Sequence, residues 1–164
     1  MRVGGSPVAT VQVISGGQTG VDRAALDVAR ELGIPCGGWC PWGRRAEDGV
    51  IPAWYPLREA PSRAYPERTA LNVRDSDGTL VLTRGAPRGG TALTVSLARR
   101  AGKAVLVVDL GAGADAGLVR AWLAENEIRV LNVAGPRESE APGIHDRAAA
   151  FLLEVLAGDD AGRR

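Results

Sequence analysis

The residues best placed to do chemistry lie in three short glycine-containing stretches. Ser15-Gly16-Gly17-Gln18-Thr19-Gly20 follows the strand-forming residues Val11, Val13 and Ile14 and precedes an amphipathic run. A helix start presents N–H groups without intrahelical partners and the positive end of the helix dipole. Gly16 and Gly17 remove the side chains that would hold an anion off that backbone, and Gln18 and Thr19 add polar groups. Arg88-Gly89-Gly90-Thr91 repeats the pattern and adds a planar cation. Gly135, Arg137 and Ser139 repeat it a third time. The glycine order is not G-x-G-x-x-G, and no Lys-Ser/Thr pair follows Gly20, so neither the dinucleotide fingerprint nor a Walker loop is present. The plainer readings are a tight turn at 15–20, a simple threonine N-cap at Thr91 and a solvated loop after Gly135.

Other candidates are less specific. Trp39 and Trp42 flank Pro41 beside Arg44 and Arg45, and flat aromatics next to arginines can stack on a heterocycle and pair with phosphate. The same tryptophans, with Trp54, could instead cover a satellite core or a subunit contact. Cys36 and Cys40 fall short of the four ligands of a zinc site, and His145 is distant in sequence. They read as two reduced thiols, and neither zinc nor haem is expected. Asp75-Ser76-Asp77 reads as a helix end leading into a strand rather than as a cation site. His145 has no evident partner and reads as solvated.

These stretches need elements to hold them, and the hydrophobic periodicity supplies an alternating set. Strands are expected over residues 10–15, 34–38, 79–83, 104–109 and 129–133, with an extended piece at 55–59. Helices are expected over 20–32, 65–74, 91–101, 116–125 and 144–156, with Gly33 ending the first. Val21, Ala25, Val28 and Leu32 form the apolar stripe of the first helix. Leu118, Trp122 and Leu123 form that of the fourth, and Ala148, Phe151, Leu152 and Val155 that of the last. The run 104–109 is apolar enough to be covered on both faces. Alternation of this kind implies an α/β, Rossmann-like three-layer sandwich with a mostly parallel central sheet and helices on both faces. In such sheets ligands bind beyond the strand carboxyl ends, where all three glycine-containing stretches fall.

At 164 residues the chain suits one domain, expected over 10–157, with a loose leader at 1–9 and a frayed tail at 158–164. The leader has no long apolar region behind its charge and does not read as a signal peptide. A net charge of +1 with intermixed signs speaks against a general nucleic-acid-coating protein. No apolar run approaches the roughly 20 residues that span a bilayer. The expectation is a cytoplasmic protein with neither nucleic acid nor membrane as partner.

Five motifs occurring in order identify a resemblance. They are SGGQTGVDRAALD at 15–27, GGWCPWGRRAEDGVIP at 37–52, RTALNVRDSD at 68–77, GGTALT at 89–94 and NVAGPRES at 132–139. Together they resemble the molybdenum carrier family over about residues 12–156. That family is similar in fold to molybdenum-cofactor carrier proteins. It belongs with a Rossmann-like group that includes the cytokinin-activating phosphoribohydrolases, once described as lysine decarboxylases. The resemblance implies a pocket for an anion or nucleotide at the strand carboxyl ends. It also implies molybdenum cofactor (molybdopterin), molybdate or a nucleotide as ligand, and a homo-oligomer, dimer or tetramer. Those hydrolases carry Pro-Gly-Gly-x-Gly-Thr-x-x-Glu, whose glutamate takes part in glycosidic cleavage. Here Thr94 stands at that position, and a threonine does no carboxylate acid–base work near neutral pH.

The expected function is therefore binding or carriage of a phosphate-bearing ligand or oxyanion. A nucleotide-processing hydrolase and a nucleotide-binding sensor domain stand as alternatives. The expected ligand contacts are Gly16, Gly17, Gln18, Thr19, Arg45, Arg88, Gly89, Gly90, Thr91, Gly135, Arg137 and Ser139, with no metal site and no assigned catalytic residue.

Overall fold

Five apolar runs pair as one all-parallel sheet in the computed structural model, which describes residue 10 and residues 12–162. Its strands are β1 (Gln12–Ile14), β2 (Cys36–Gly37), β7 (Gly78–Thr83), β8 (Ala104–Asp109) and β9 (Val130–Ala134), in the order β2-β1-β9-β7-β8. The expected leader at 1–9 lies outside the described residues. Parallel strands cannot be joined by tight turns, so helices cross over between them. These are α1 (Val21–Leu32), α2 (Tyr65–Arg74), α3 (Gly89–Arg100), α4 (Ala116–Glu125) and α5 (Ile144–Gly162). Helices α1, α4 and α5 pack together on one face, and α2 and α3 on the other. The three-layer expectation is met.

The two faces differ in chemistry because strand residues alternate. Leu80 and Leu82 of β7 and Leu131 and Val133 of β9 join Val21, Leu123, Ile144 and Leu152 in a fully buried core beneath α1, α4 and α5. Their neighbours point the other way and are largely polar. Thr79, Thr83 and Asn132 are buried there, with Asn132 Nδ2 donating to Thr79 Oγ1 at 3.2 Å. Helices α2 and α3 meet this half-polar face with Thr69, Asn72, Thr91 and Thr94, also buried.

Several boundaries move. The first strand is shorter than expected, β9 is shifted by one residue, and α3 begins two residues early, at Gly89. Helix α5 continues to Gly162, past its expected end at 156 and through five residues of the expected tail. Leu118 was expected on the apolar side of α4 but is exposed; Val119, four residues before Leu123, takes its place. Strand β8 is half-buried along its whole length because it is the edge of the sheet. The expected irregular segment contains two small sheets. In one, β3 (Trp39–Cys40) pairs with β6 (Arg58–Glu59); in the other, β4 (Arg45–Ala46) pairs with β5 (Gly49–Val50). The satellite core there is Leu26, Cys40, Ile51 and Tyr55 rather than the tryptophans; Trp42 and Trp54 are exposed.

Candidate functional site

Strands β1, β9 and β7 are neighbours at the centre of the sheet, so their carboxyl ends deliver the three glycine-containing loops side by side. Chain direction diverges here: β1 leads outward to β2, and β7 leads the other way to β8. A crevice at such a switch point is the usual ligand position in an open parallel sheet. A cavity of about 310 Å³ opens there, and all three loops reach it through Gln18, Gly89, Gly90, Thr91, Gly135 and Arg137.

The first loop is not the anion cradle its glycines suggest. Gly16 and Gly17 are buried. The Arg68 guanidinium lies directly over Gly16, where a Cβ would overlap it. The amides are spent internally: Gln18 N–H donates to Asp22 Oδ2 at 3.2 Å, Thr19 N–H to Gln18 Oε1 at 3.0 Å and Val21 N–H to Pro136 O at 3.3 Å. The chain's own carboxylate, Asp22, thus occupies the start of α1. Its side chain is only 5% exposed, and Arg68 Nη1 stands 3.4 Å from Oδ2. Burial pushes the Asp22 carboxyl up, against the opposing pull of Arg68 and the Gln18 amide.

Thr19 and Ser139 are engaged elsewhere as well. Glu47, at the tip of the β4–β5 hairpin, accepts from Thr19 Oγ1 and Ser139 Oγ at 2.5 Å each and from Ser139 N–H at 3.1 Å. Thr19 Oγ1 in turn accepts from Glu138 N–H at 3.1 Å. Arg23 grips Asp48 with two bonds of 2.6 and 2.8 Å. The hairpin therefore bolts the first loop to the third. Arg45, in the same hairpin, is exposed and does not line the cavity.

The start of α3 is different. The Gly89 and Gly90 N–H groups make no hydrogen bond among the described residues, and a Cβ at either would meet nothing within 4 Å. Thr91 is 7% exposed, lines the cavity and its hydroxyl has no protein partner among the described residues. No acidic side chain occupies the first turn of α3. Arg137 faces the same space, 36% exposed, its Nε 3.9 Å from Glu140. Arg68 and Arg137 both lie over the Tyr65 ring, at 5.5 and 5.8 Å from its centroid. Arg68 Nε is buried without a partner. Arg88 lies toward a second cavity on the other side of the α3 start.

Sequence reasoning did not assign Tyr65, Arg68, Thr69 or Glu140 to the site. The signal was available for the first three: at spacing i, i+3, i+4 they share one face of α2, and a polar face that packs inward suggests a lined cavity. His145 is not simply solvated. Its Nε2 lies 2.8 Å from Asp27 and its Nδ1 2.9 Å from Asp146. Asp75 and Asp77 serve structure, the first accepting from Trp39 Nε1 and the second from the amides of Arg129 and Val130. Among the described residues no three His, Cys, Asp or Glu side chains gather as a metal-ion site, and no helix is long and apolar enough to cross a membrane.

A Rossmann-like sheet with an open helix start and two arginines at its switch point places the chain among the α/β proteins that carry a crevice there. The Circularly permutated YpsA SLOG family matches residues 13–156, and the chain belongs to that family. It is also similar to a solved structure from Syntrophus aciditrophicus SB, named “Putative molybdenum carrier protein”. The two share 44% identity over 92% of this chain and 98% of that one, with a TM-score of 0.90. No curated protein matches the chain.

Proposed function

We propose that this protein binds and carries a phosphate-bearing ligand or oxyanion in the cavity at the start of α3. The observation that carries this is the pair of free amides at Gly89 and Gly90, beside the unpartnered Thr91 hydroxyl and facing Arg137. Such donors favour an oxyanion by direct bonding and by the helix dipole together. Amide N–H and guanidinium groups donate to oxygen, so the chemistry at the α3 start suits molybdate or a phosphate. The name of the Syntrophus protein supports molybdenum as cargo, carried as molybdate or on the phosphate-bearing molybdopterin. A cavity of about 310 Å³ is larger than a lone oxyanion needs, which favours an anion with an organic body. We also propose a homo-oligomer; the half-buried apolar edge of β8 supports it, and light scattering tests it.

Calorimetric titration with molybdate, phosphate and sulfate tests the carrier reading. Arg137→Ala is expected to weaken binding about tenfold or more, from the roughly 1.5–3 kcal/mol of a charged hydrogen bond. Absence of binding by every anion contradicts the reading.

One observation favours the hydrolase alternative. Asp22 reaches the cavity as a buried carboxyl whose proton affinity burial raises, the property a general acid needs. It could supply the carboxylate that Thr94, bonded through Oγ1 to Gly90 O at 3.0 Å, cannot. Free base released from nucleoside monophosphates, and lost in Asp22→Asn, would favour turnover. Retained binding without release favours carriage.

A further inference from the structure

The α3 start is walled on its other side by a second cavity, of about 240 Å³. Gly89, Thr91 and Glu140 belong to both cavities, while Arg84 and Arg88 line only the second. Arg84 Nη2 donates to Pro142 O at 2.9 Å, which fixes one end of its guanidinium. Arg88 makes no ion pair or hydrogen bond through its side chain among the described residues. Thr91, more than nine-tenths buried, sits on the wall between the two spaces with its hydroxyl unpartnered.

We propose that the second cavity is an anion subsite of its own, and that the ligand class is a diphosphate. This rests on the carrier reading of the first cavity. One phosphoryl group faces Arg137 and the Gly90 amide and the other faces Arg88, with the Gly89 amide and the Thr91 hydroxyl between them. The two spaces share Gly89, Thr91 and Glu140 in their lining, so one short ligand with two anionic groups suits them, and a diphosphate is the shortest that carries both. A lone phosphate would fill one space and leave the cations of the other without a counter-charge.

Glu140 is the acidic side chain on the ridge between the cavities. Its side chain is 56% exposed and stands 3.9 Å from Arg137, a loose pair that a phosphoryl group would displace. Removing its charge therefore tightens binding at both subsites.

Calorimetry on the full chain with inorganic phosphate and with pyrophosphate, at one pH and one ionic strength, tests the proposal. Pyrophosphate is expected to bind at least tenfold more tightly than phosphate. Arg88→Ala is expected to cut that preference at least fivefold. Arg99→Ala, which removes the same charge in the last turn of α3, leaves it in place and controls for net charge. If phosphate binds but pyrophosphate is no better than twofold tighter, or if Arg88→Ala leaves the preference intact, the second subsite is overturned and the carrier reading survives. If neither anion binds, both fall.

Discussion

Gly16 shows how a single residue type can carry two meanings. In sequence it reads as a position cleared for a ligand; in space it is cleared for Arg68. Close by, the Asp22 carboxylate takes the Gln18 amide that an external anion would otherwise take. Gly89 and Gly90 keep the first meaning, since nothing approaches them. The two cases separate by experiment. Gly16→Ala must move the Arg68 guanidinium away from the buried Asp22 carboxylate and is expected to cost about 1–3 kcal/mol of stability, as loss of a buried charged contact does. Chemical denaturation measures it, and a neutral result would mean that Arg68 does not rest there. Glu140→Gln is expected to tighten phosphate binding about fivefold, from the roughly 1 kcal/mol of close like-charge repulsion in a watery setting. Titration of the variant checks the sign, and weaker binding would remove Glu140 from the site.

At the scale of elements, the main work is holding loops that have little regular structure. Glu47 ties the first loop to the third, and Glu138 accepts from the Gly143 and His145 amides at the start of α5. Hydrogen bonds from Ser139 and Thr19 hold the Glu47 carboxyl below its usual range, outweighing a burial effect that alone would raise it. His145 links α5 to α1 through Asp27, which also accepts from the Tyr55 hydroxyl at 2.7 Å. Burial alone would lower the His145 pKa, but hydrogen bonds to Asp146 and Asp27 outweigh it and raise it above 6.5. A raised histidine adds stability that is fully present below about 6.5 and is lost as pH rises through the folded-state value. His145 is the sole histidine of the chain. Melting temperature is therefore expected to fall as pH rises above about 6.5, and His145→Gln to flatten that slope. An unchanged slope would place the protonation elsewhere. None of this lattice was legible in sequence, because Glu47 and Ser139 are 92 residues apart and Asp27 and His145 are 118 apart.

For the whole molecule, periodicity was enough for the architecture. Alternating apolar runs with Gly33 at a helix end determine a parallel α/β sandwich almost regardless of detail, and the core residues of α1 and α5 follow from their stripes. The ordering of the sheet brought the three loops together as expected, because β1, β9 and β7 are adjacent. What pattern could not distinguish was which helix start is already satisfied. That depends on Asp22 and Arg68, 46 residues apart, meeting over Gly16. Nor could it show that one wall of the site comes from α2, whose Tyr65, Arg68 and Thr69 lie outside the glycine-containing stretches.

We propose that this molecule holds negative charge at the open start of α3 and not at the glycine pair after β1. Anomalous diffraction from crystals soaked in tungstate, an electron-dense oxyanion, tests it most directly. A peak is expected beside the Gly89 and Gly90 amides on the side of Arg137. A peak lodged among Gly16, Gly17 and Thr19, or none at the α3 start, would contradict it.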